Sequence, residues 1–342
     1  MTLQTFPGVD TFPTHHCITG SLRRVYEAHG YPISEEFLLG LGSGVGFSYW
    51  HFKGTDPFYG GRANFERPGE DGLEKTVARR TGVILESHRT TSRRKAEAGL
   101  LEMLDAQEPV MVYLDMGLLP YFDLPPDYHF GAHTVAVVGY DASAGTVLVA
   151  DRDEQTHVLT LDELEAARGS AFKPFPPRHQ WYTVDFAGAR APRPDEVWEA
   201  IGDVTSGMLE PPIANVGVKG IRTAAERTLR WPKVMNDVAL RRTCVNVAIF
   251  IDPTGGTGGG IFRYMYGRFL EEAGGVTGDD RLGKLSAGFA DVGDQWEQVA
   301  RALRGAAEAP DAAAALPDAV ALLPEIADAE QALWEELAAL VP

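Results

Sequence analysis

Thr14-His15-His16-Cys17-Ile18-Thr19-Gly20-Ser21-Leu22-Arg23-Arg24-Val25-Tyr26 places a single thiol at the mouth of an expected helix. After Cys17, the apolar residues Ile18, Leu22, Val25 and Tyr26 recur at spacings of three and four, the pattern of a helix with one buried face. Pro13 and Thr14 are start signals for that helix. In its first turn a thiol sits among unpaired backbone N–H groups at the positive end of the dipole, which favours thiolate over thiol. From this stretch alone the residue reads equally well as a small buried side chain, as most free cysteines are.

A second stretch decides between those readings. His129-Phe130-Gly131-Ala132-His133-Thr134-Val135-Ala136-Val137-Val138-Gly139-Tyr140-Asp141 is a β-branched run opened by His133. A turn over 142–145 leads into Thr146-Val147-Leu148-Val149-Ala150-Asp151, so the two runs are expected to form a hairpin. His133 at the start of one strand and Asp151 at the end of its antiparallel partner then share one end of the sheet. Alone, His133 reads as a structural histidine. A carboxylate beside it would hold the imidazole in one tautomer as a base, and a helix-mouth cysteine upstream completes a nucleophile, base and orienting group: Cys17, His133 and Asp151.

Composition limits the partners. A chain of 342 residues with 44% hydrophobic and 23% charged side chains has room for about two domains with substantial cores. Two cysteines make no disulfide framework, and the start has neither a basic region nor a long apolar run, so a soluble, cytoplasmic protein with free thiols is expected. With 31 Lys+Arg against 48 Asp+Glu the net charge is −17. That balance disfavours nucleic acid and favours a cationic small molecule. No metal or cofactor site is expected.

Elsewhere the chain turns at Gly30-Tyr31-Pro32 and starts a helix at Ser34-Glu35-Glu36-Phe37, with Ser34 as N-cap. Gly40-Leu41-Gly42-Ser43-Gly44-Val45-Gly46-Phe47-Ser48-Tyr49-Trp50 lacks the Walker lysine and a preceding strand. Its glycines read as a place where backbone passes close to the Cys17 helix, with Tyr49 and Trp50 lining a pocket. Strands are expected at 82–86 and 109–115, helices at 72–80 and 93–104, a loop with Pro125-Pro126 at 121–128, and a further strand before the linker 188–194. From Asp195 the pattern is helical: 195–209, 217–229, 231–245, 261–273, 282–304, 310–323 and 326–340. Cys244 falls inside that pattern as a core residue. The run Gly255-Gly256-Thr257-Gly258-Gly259-Gly260 is either a tight loop or an anion cradle helped by Arg263, the loop being the better fit to an acidic chain.

The order Cys, His, Asp is that of papain-like thiol enzymes. His16-Cys17, the segment ending Gly46-Phe47-Ser48-Tyr49, the run His133 to Asp141 and Val149-Ala150-Asp151-Arg152 together resemble the N-terminal domain of the butirosin biosynthesis protein H family. Asn215-Val216-Gly217, Gly220-Ile221, Trp231 and 255–264 resemble the helical domain of unknown function that often follows it. The resemblance covers nearly the whole chain. It implies an α+β fold, with a papain-like domain built on an antiparallel sheet at 1–187 and an α-helical domain at 195–342. It also implies an acyltransferase that moves an aminoacyl group from a carrier-protein thioester to an amine of an aminoglycoside. Gln4 is the one upstream candidate for an oxyanion-hole glutamine.

Expected substrate-binding residues are His16 beside the nucleophile, Phe47, Tyr49 and Trp50, and Asp123, Asp127 and His129 on the segment leading to His133, with Asp115 as a further carboxylate near the cleft. The expected partners are an acyl-carrier protein or other thioester donor and an amine acceptor, without nucleic acid or membrane, and a homo-oligomer stays open. An acidic carrier would dock on Arg89, Arg93, Arg94 and Lys95. A hydrolase using the same three residues, or a binding protein without catalysis, are the alternatives.

Overall fold

The computed structural model describes residues 3–67, 69–125, 127–253, 255 and 258–342. Pro126 of the expected loop, and Gly256 and Thr257 of the glycine run, lie outside them. In chain order the elements are α1 (Cys17–Ala28), α2 (Glu35–Leu41), β1 (Val45–Trp50), β2 (Phe58–Arg62), α3 (Leu73–Arg80), β3 (Ile84–His88), α4 (Arg93–Asp105), β4 (Val110–Leu114), β5 (His133–Asp141), β6 (Thr146–Ala150), β7 (Thr156–Thr160), α5 (Leu161–Arg168) and β8 (Trp181–Asp185). Then follow α6 (Pro194–Leu209), α7 (Gly217–Thr228), α8 (Asp237–Ile251), α9 (Gly259–Thr277), α10 (Arg281–Lys284), α11 (Ser286–Glu308), α12 (Ala312–Ala319) and α13 (Leu323–Ala338). The architecture is α+β, with antiparallel sheets in the first half and helices in the second. Among the described residues no helix is long and apolar enough to cross a membrane.

The chain divides into two compact units, one of residues 1–38 and 81–191 and the other of residues 39–80 and 192–342. These units differ from the linear division into 1–187 and 195–342, because 39–80 packs with the helices. The reason lies in a set of long-range contacts inside the second unit. A side chain at Gly40 would strike the Phe269 ring, and one at Gly61 would fall 2.2 Å from the backbone of Gly258. The buried Arg80 guanidinium donates to the carbonyl of Leu41 at 2.6 Å and pairs with Asp203 at 2.7 Å. Of the quoted run, then, Gly40 leaves room for the Phe269 ring of α9, Gly44 for Leu73 and Gly46 for Ala63, and none of these contacts is to α1.

In the first unit a six-stranded sheet runs β3-β8-β4-β5-β6-β7, every neighbouring pair antiparallel. β5 is central and its first seven residues are buried, which explains its continuous apolar run. Helix α1 packs against β5 and β4, presenting Ile18, Leu22, Val25 and Tyr26, each 2% exposed or less. Burying such a side chain stabilises by roughly 1.5–3 kcal/mol, so this face holds the first residue of α1 against the sheet.

In the second unit β1 and β2 form a hairpin against the helices, with the Tyr49 N–H donating to the Asn215 carbonyl at 2.8 Å. β2 was not expected, because Gly60-Gly61 reads as loop. Arg263 and Glu330 are both fully buried and bond through two oxygens, at 2.9 and 2.6 Å. Glu330 also accepts from the indoles of Trp296 and Trp334, at 2.8 and 3.1 Å, and Arg263 donates to the Gly46 carbonyl at 3.0 Å. Arg263 is thus committed to the core and is not the charge of an anion cradle. Two helix starts shift as well. Pro232 confines Trp231–Lys233 to a 3-10 turn, and α8 begins only after Asn236, whose side chain accepts from the Ala239 N–H at 2.9 Å. The helix expected at 282–304 is divided into α10 and α11 at Leu285.

Candidate active site

Cys17 is the first residue of α1, and the helix start is capped from a distance. His16 is extended and makes no side-chain cap. The Glu35 carboxylate accepts instead from the N–H groups of His15 and His16, at 2.8 and 2.6 Å, and from the Thr19 hydroxyl at 3.0 Å. Because that hydroxyl spends its proton on Glu35, it accepts from His16 Nδ1 at 3.1 Å, which assigns the proton to Nδ1. Burial pushes the Glu35 carboxyl up, and the hydrogen bonds from His15, His16 and Thr19 act against it. The result is a rigid helix mouth with Cys17 at its positive end.

The β5–β6 ladder pairs Ala136 with Ala150 and Val137 with Val149. Continuing that register sets Asp151 opposite Val135, so His133 is its diagonal neighbour on the same face, a distance that long side chains span. His133 Nε2 lies 2.8 Å from Asp151 Oδ2, both side chains only 3% exposed. With Nε2 engaged by the carboxylate, the ring's other nitrogen is left for the sulfur, and both His133 and the Thr134 backbone favour the thiolate form of Cys17. The Asp151 carboxylate also accepts from the Tyr121 hydroxyl at 3.0 Å and from the Arg152 N–H at 2.8 Å.

Electrostatics follow from this chain of contacts. Burial alone would raise the Cys17 thiol, but the hydrogen bond and charge of His133, with smaller contributions from Thr134, bring it below the ordinary range. Burial alone would lower His133, yet the charge and hydrogen bond of Asp151, then Cys17, push it up to about 10. Asp151 is held down by His133, Tyr121 and Arg152 against its own burial. These interactions favour a thiolate–imidazolium pair backed by a carboxylate. As the first N–H of α1, that of Cys17 has no intrahelical acceptor.

Residues 16–152 match the family model described as butirosin biosynthesis protein H, N-terminal, and residues 162–337 match that of a domain of unknown function, DUF4872. The chain belongs to this two-part family. No curated protein matches it at a significant level.

Several expected binding residues of this family member serve the fold instead. His16 is 2% exposed and belongs to the Glu35 cap. Phe47 and Tyr49 lie in the second unit's core, 2% and 4% exposed: Phe47 stacks on Trp296 and the Tyr49 hydroxyl accepts from the Trp231 indole at 3.2 Å. Trp50 is half-buried and stacks on Phe52 in the same unit. Asp115 is fully buried and accepts from the Gly117 and Phe130 N–H groups, His129 Nδ1 and the Ser170 hydroxyl. His129, bonded to Asp115 and stacked on Phe172 at 3.3 Å, is a brace for the loop before β5. Asp123 and Asp127 are exposed. Gln4 is also exposed, and its carbonyl lies against Gly139. Six residues along β5 separate Gly139 from His133, roughly 20 Å of strand, which removes Gln4 from the oxyanion role.

Of the docking cluster, Arg93 pairs with Asp162 at 2.9 Å and Arg89 donates to Gln180 at 2.8 Å. Among the described residues no three His, Cys, Asp or Glu side chains gather as a metal site. The sequence reading missed Glu35 and Tyr121. Glu35 had a signal, a carboxylate next to a helix N-cap, whereas Tyr121 had none.

Proposed function

We propose that the protein is a cysteine-dependent acyltransferase of natural-product biosynthesis. The observation that carries this reading is the Cys17–His133–Asp151 arrangement at the mouth of α1, in a chain whose family is that of a biosynthesis protein. The Cys17 thiolate attacks the carbonyl carbon of a thioester, and the C–S bond to the donor breaks. The donor sulfur leaves as a thiol with the proton of the His133 imidazolium. The acyl group now rests on Cys17. An amine attacks that second thioester, His133 takes the proton from its nitrogen, and Cys17 departs as thiolate again. The resemblance implies a carrier protein as donor, and the exposed Asp123 and Asp127 are the carboxylates assigned to a cationic acceptor.

Intact-mass spectrometry after incubation with acyl-carrier and small-molecule thioesters tests this. The expected result is a mass gain of one acyl group, absent in Cys17→Ala and discharged faster by amines, as amides, than by water. Discharge to the free acid at an amine-independent rate would instead make the protein a hydrolase. No mass gain with any thioester would overturn the covalent step.

A further inference from the structure

Asp151 accepts two hydrogen bonds on one oxygen. His133 Nε2 lies 2.8 Å from Oδ2 and the Tyr121 hydroxyl 3.0 Å from the same atom. The neighbouring Phe122 ring stands edge-on to the imidazole, 5.9 Å between centroids and 75° between planes. Tyr121 itself lies flat on the His157 ring at 3.9 Å, and His157 Nε2 bonds Asp153 at 2.8 Å. One dipeptide in a segment without regular secondary structure thus touches both members of the His–Asp pair. The segment is fixed at its two ends by Asp115, which accepts from Gly117 on one side and from His129 and Phe130 on the other.

We propose that Tyr121 is a positioning residue of this site: its hydroxyl on Asp151 Oδ2 sets how tightly the carboxylate holds the His133 proton, while Phe122 fixes the ring from the side. The proposal rests on the catalytic reading of Cys17, His133 and Asp151 given above. Two donors on one oxygen share its charge, so each is held less tightly than a single donor would be. His133 must release its proton to a leaving thiol and take one from an attacking amine. A carboxylate left with His133 alone would make the imidazolium too weak an acid for the first step. Burial and the Asp151 charge hold the Tyr121 hydroxyl far above the ordinary tyrosine range, so it stays a donor at every working pH. The charged and titratable groups that face the pair are Cys17 and Arg24 from α1, Arg152 and Asp153 beyond β6, and His157 from β7. All of them are unchanged when only the hydroxyl is removed.

The test compares wild type, Tyr121→Phe and Tyr121→Leu as full-length chains. The His133 ring nitrogens are titrated by NMR, and the rate at which iodoacetamide alkylates Cys17 is followed against pH. In both variants the His133 inflection is expected to rise by about one pH unit, ten-fold in proton affinity, with the acid limb of alkylation moving down, because a more firmly protonated imidazolium stabilises the thiolate beside it. Unmoved inflections in a variant that merely melts earlier would reduce Tyr121 to packing and overturn the proposal. Failure of the underlying reading would look different: the wild type itself would show an ordinary histidine titration and a slow, un-ionised Cys17.

Discussion

His133 Nε2 and Asp151 Oδ2 are 2.8 Å apart, although the β5–β6 register makes the two residues diagonal and not opposed. That offset matters, because it leaves the far nitrogen of the ring for Cys17 on α1. The carboxylate both fixes the tautomer and carries the charge that keeps the imidazole protonated.

Asp151→Asn should therefore strike the thiolate as much as the base. Without the carboxylate charge, burial lowers His133 unopposed, and Cys17 reverts towards a thiol. Transfer activity is expected to fall by about 10²–10⁴-fold, and alkylation of Cys17 at neutral pH should slow in parallel. Activity within a few-fold of wild type would remove Asp151 from the site.

The two cysteines should differ sharply in reactivity. Cys17 is held below the usual thiol range by His133, whereas burial pushes Cys244 up to about 11. Mass-mapped alkylation with iodoacetamide is expected to be fast at Cys17 and nearly flat across neutral pH, falling only where acid protonates the sulfur. Cys244, fully buried in α8, should react slowly and only faster as the pH climbs. Equal rates at pH 7 would contradict an activated Cys17.

A cationic acceptor should feel salt. If Asp123 and Asp127 bind it, raising ionic strength from 0.05 to 0.5 M shortens the Debye length to a few ångströms, and the apparent KM for the amine should rise several-fold. Asp123→Asn with Asp127→Asn should raise KM similarly and flatten the salt response. A KM independent of both changes would move the acceptor site elsewhere.

Stability of the second unit should hinge on Glu330. Glu330→Gln leaves the fully buried Arg263 charge without its carboxylate, which costs about 3–5 kcal/mol where a buried pair is broken. Adding Arg263→Met should restore part of that loss, since it removes the stranded charge. Denaturant unfolding measures both variants. A single variant as stable as wild type would show that water reaches Arg263.

Local pattern was enough for much of this protein. The three-and-four spacing after Cys17, the β-branched run from His133 and the turn over 142–145 fixed α1, β5 and β6. Those elements alone brought the strand-start histidine and strand-end aspartate to one end of a sheet, because hairpin pairing is a short-range consequence of the turn. The helical second half was legible for the same reason, its apolar period of 3.6 being carried by each helix separately.

What the tertiary structure decided depends on contacts between residues far apart in the chain. Glycines at 40 and 61 announce that something comes close, but only packing names Phe269 and Gly258 as what does, and so assigns 39–80 to the second unit. Aromatic residues at 47 and 49 look the same in a pocket wall and in a core, and burial against Trp296 and Trp231 made them core. Glu35 caps α1 from 19 residues away, and Tyr121 reaches Asp151 across 30. A carboxylate or a hydroxyl carries no periodicity of its own. Its partner is chosen by whichever donor or acceptor the folded chain leaves within about 3 Å, and that choice is made only when the sheet and helices have closed.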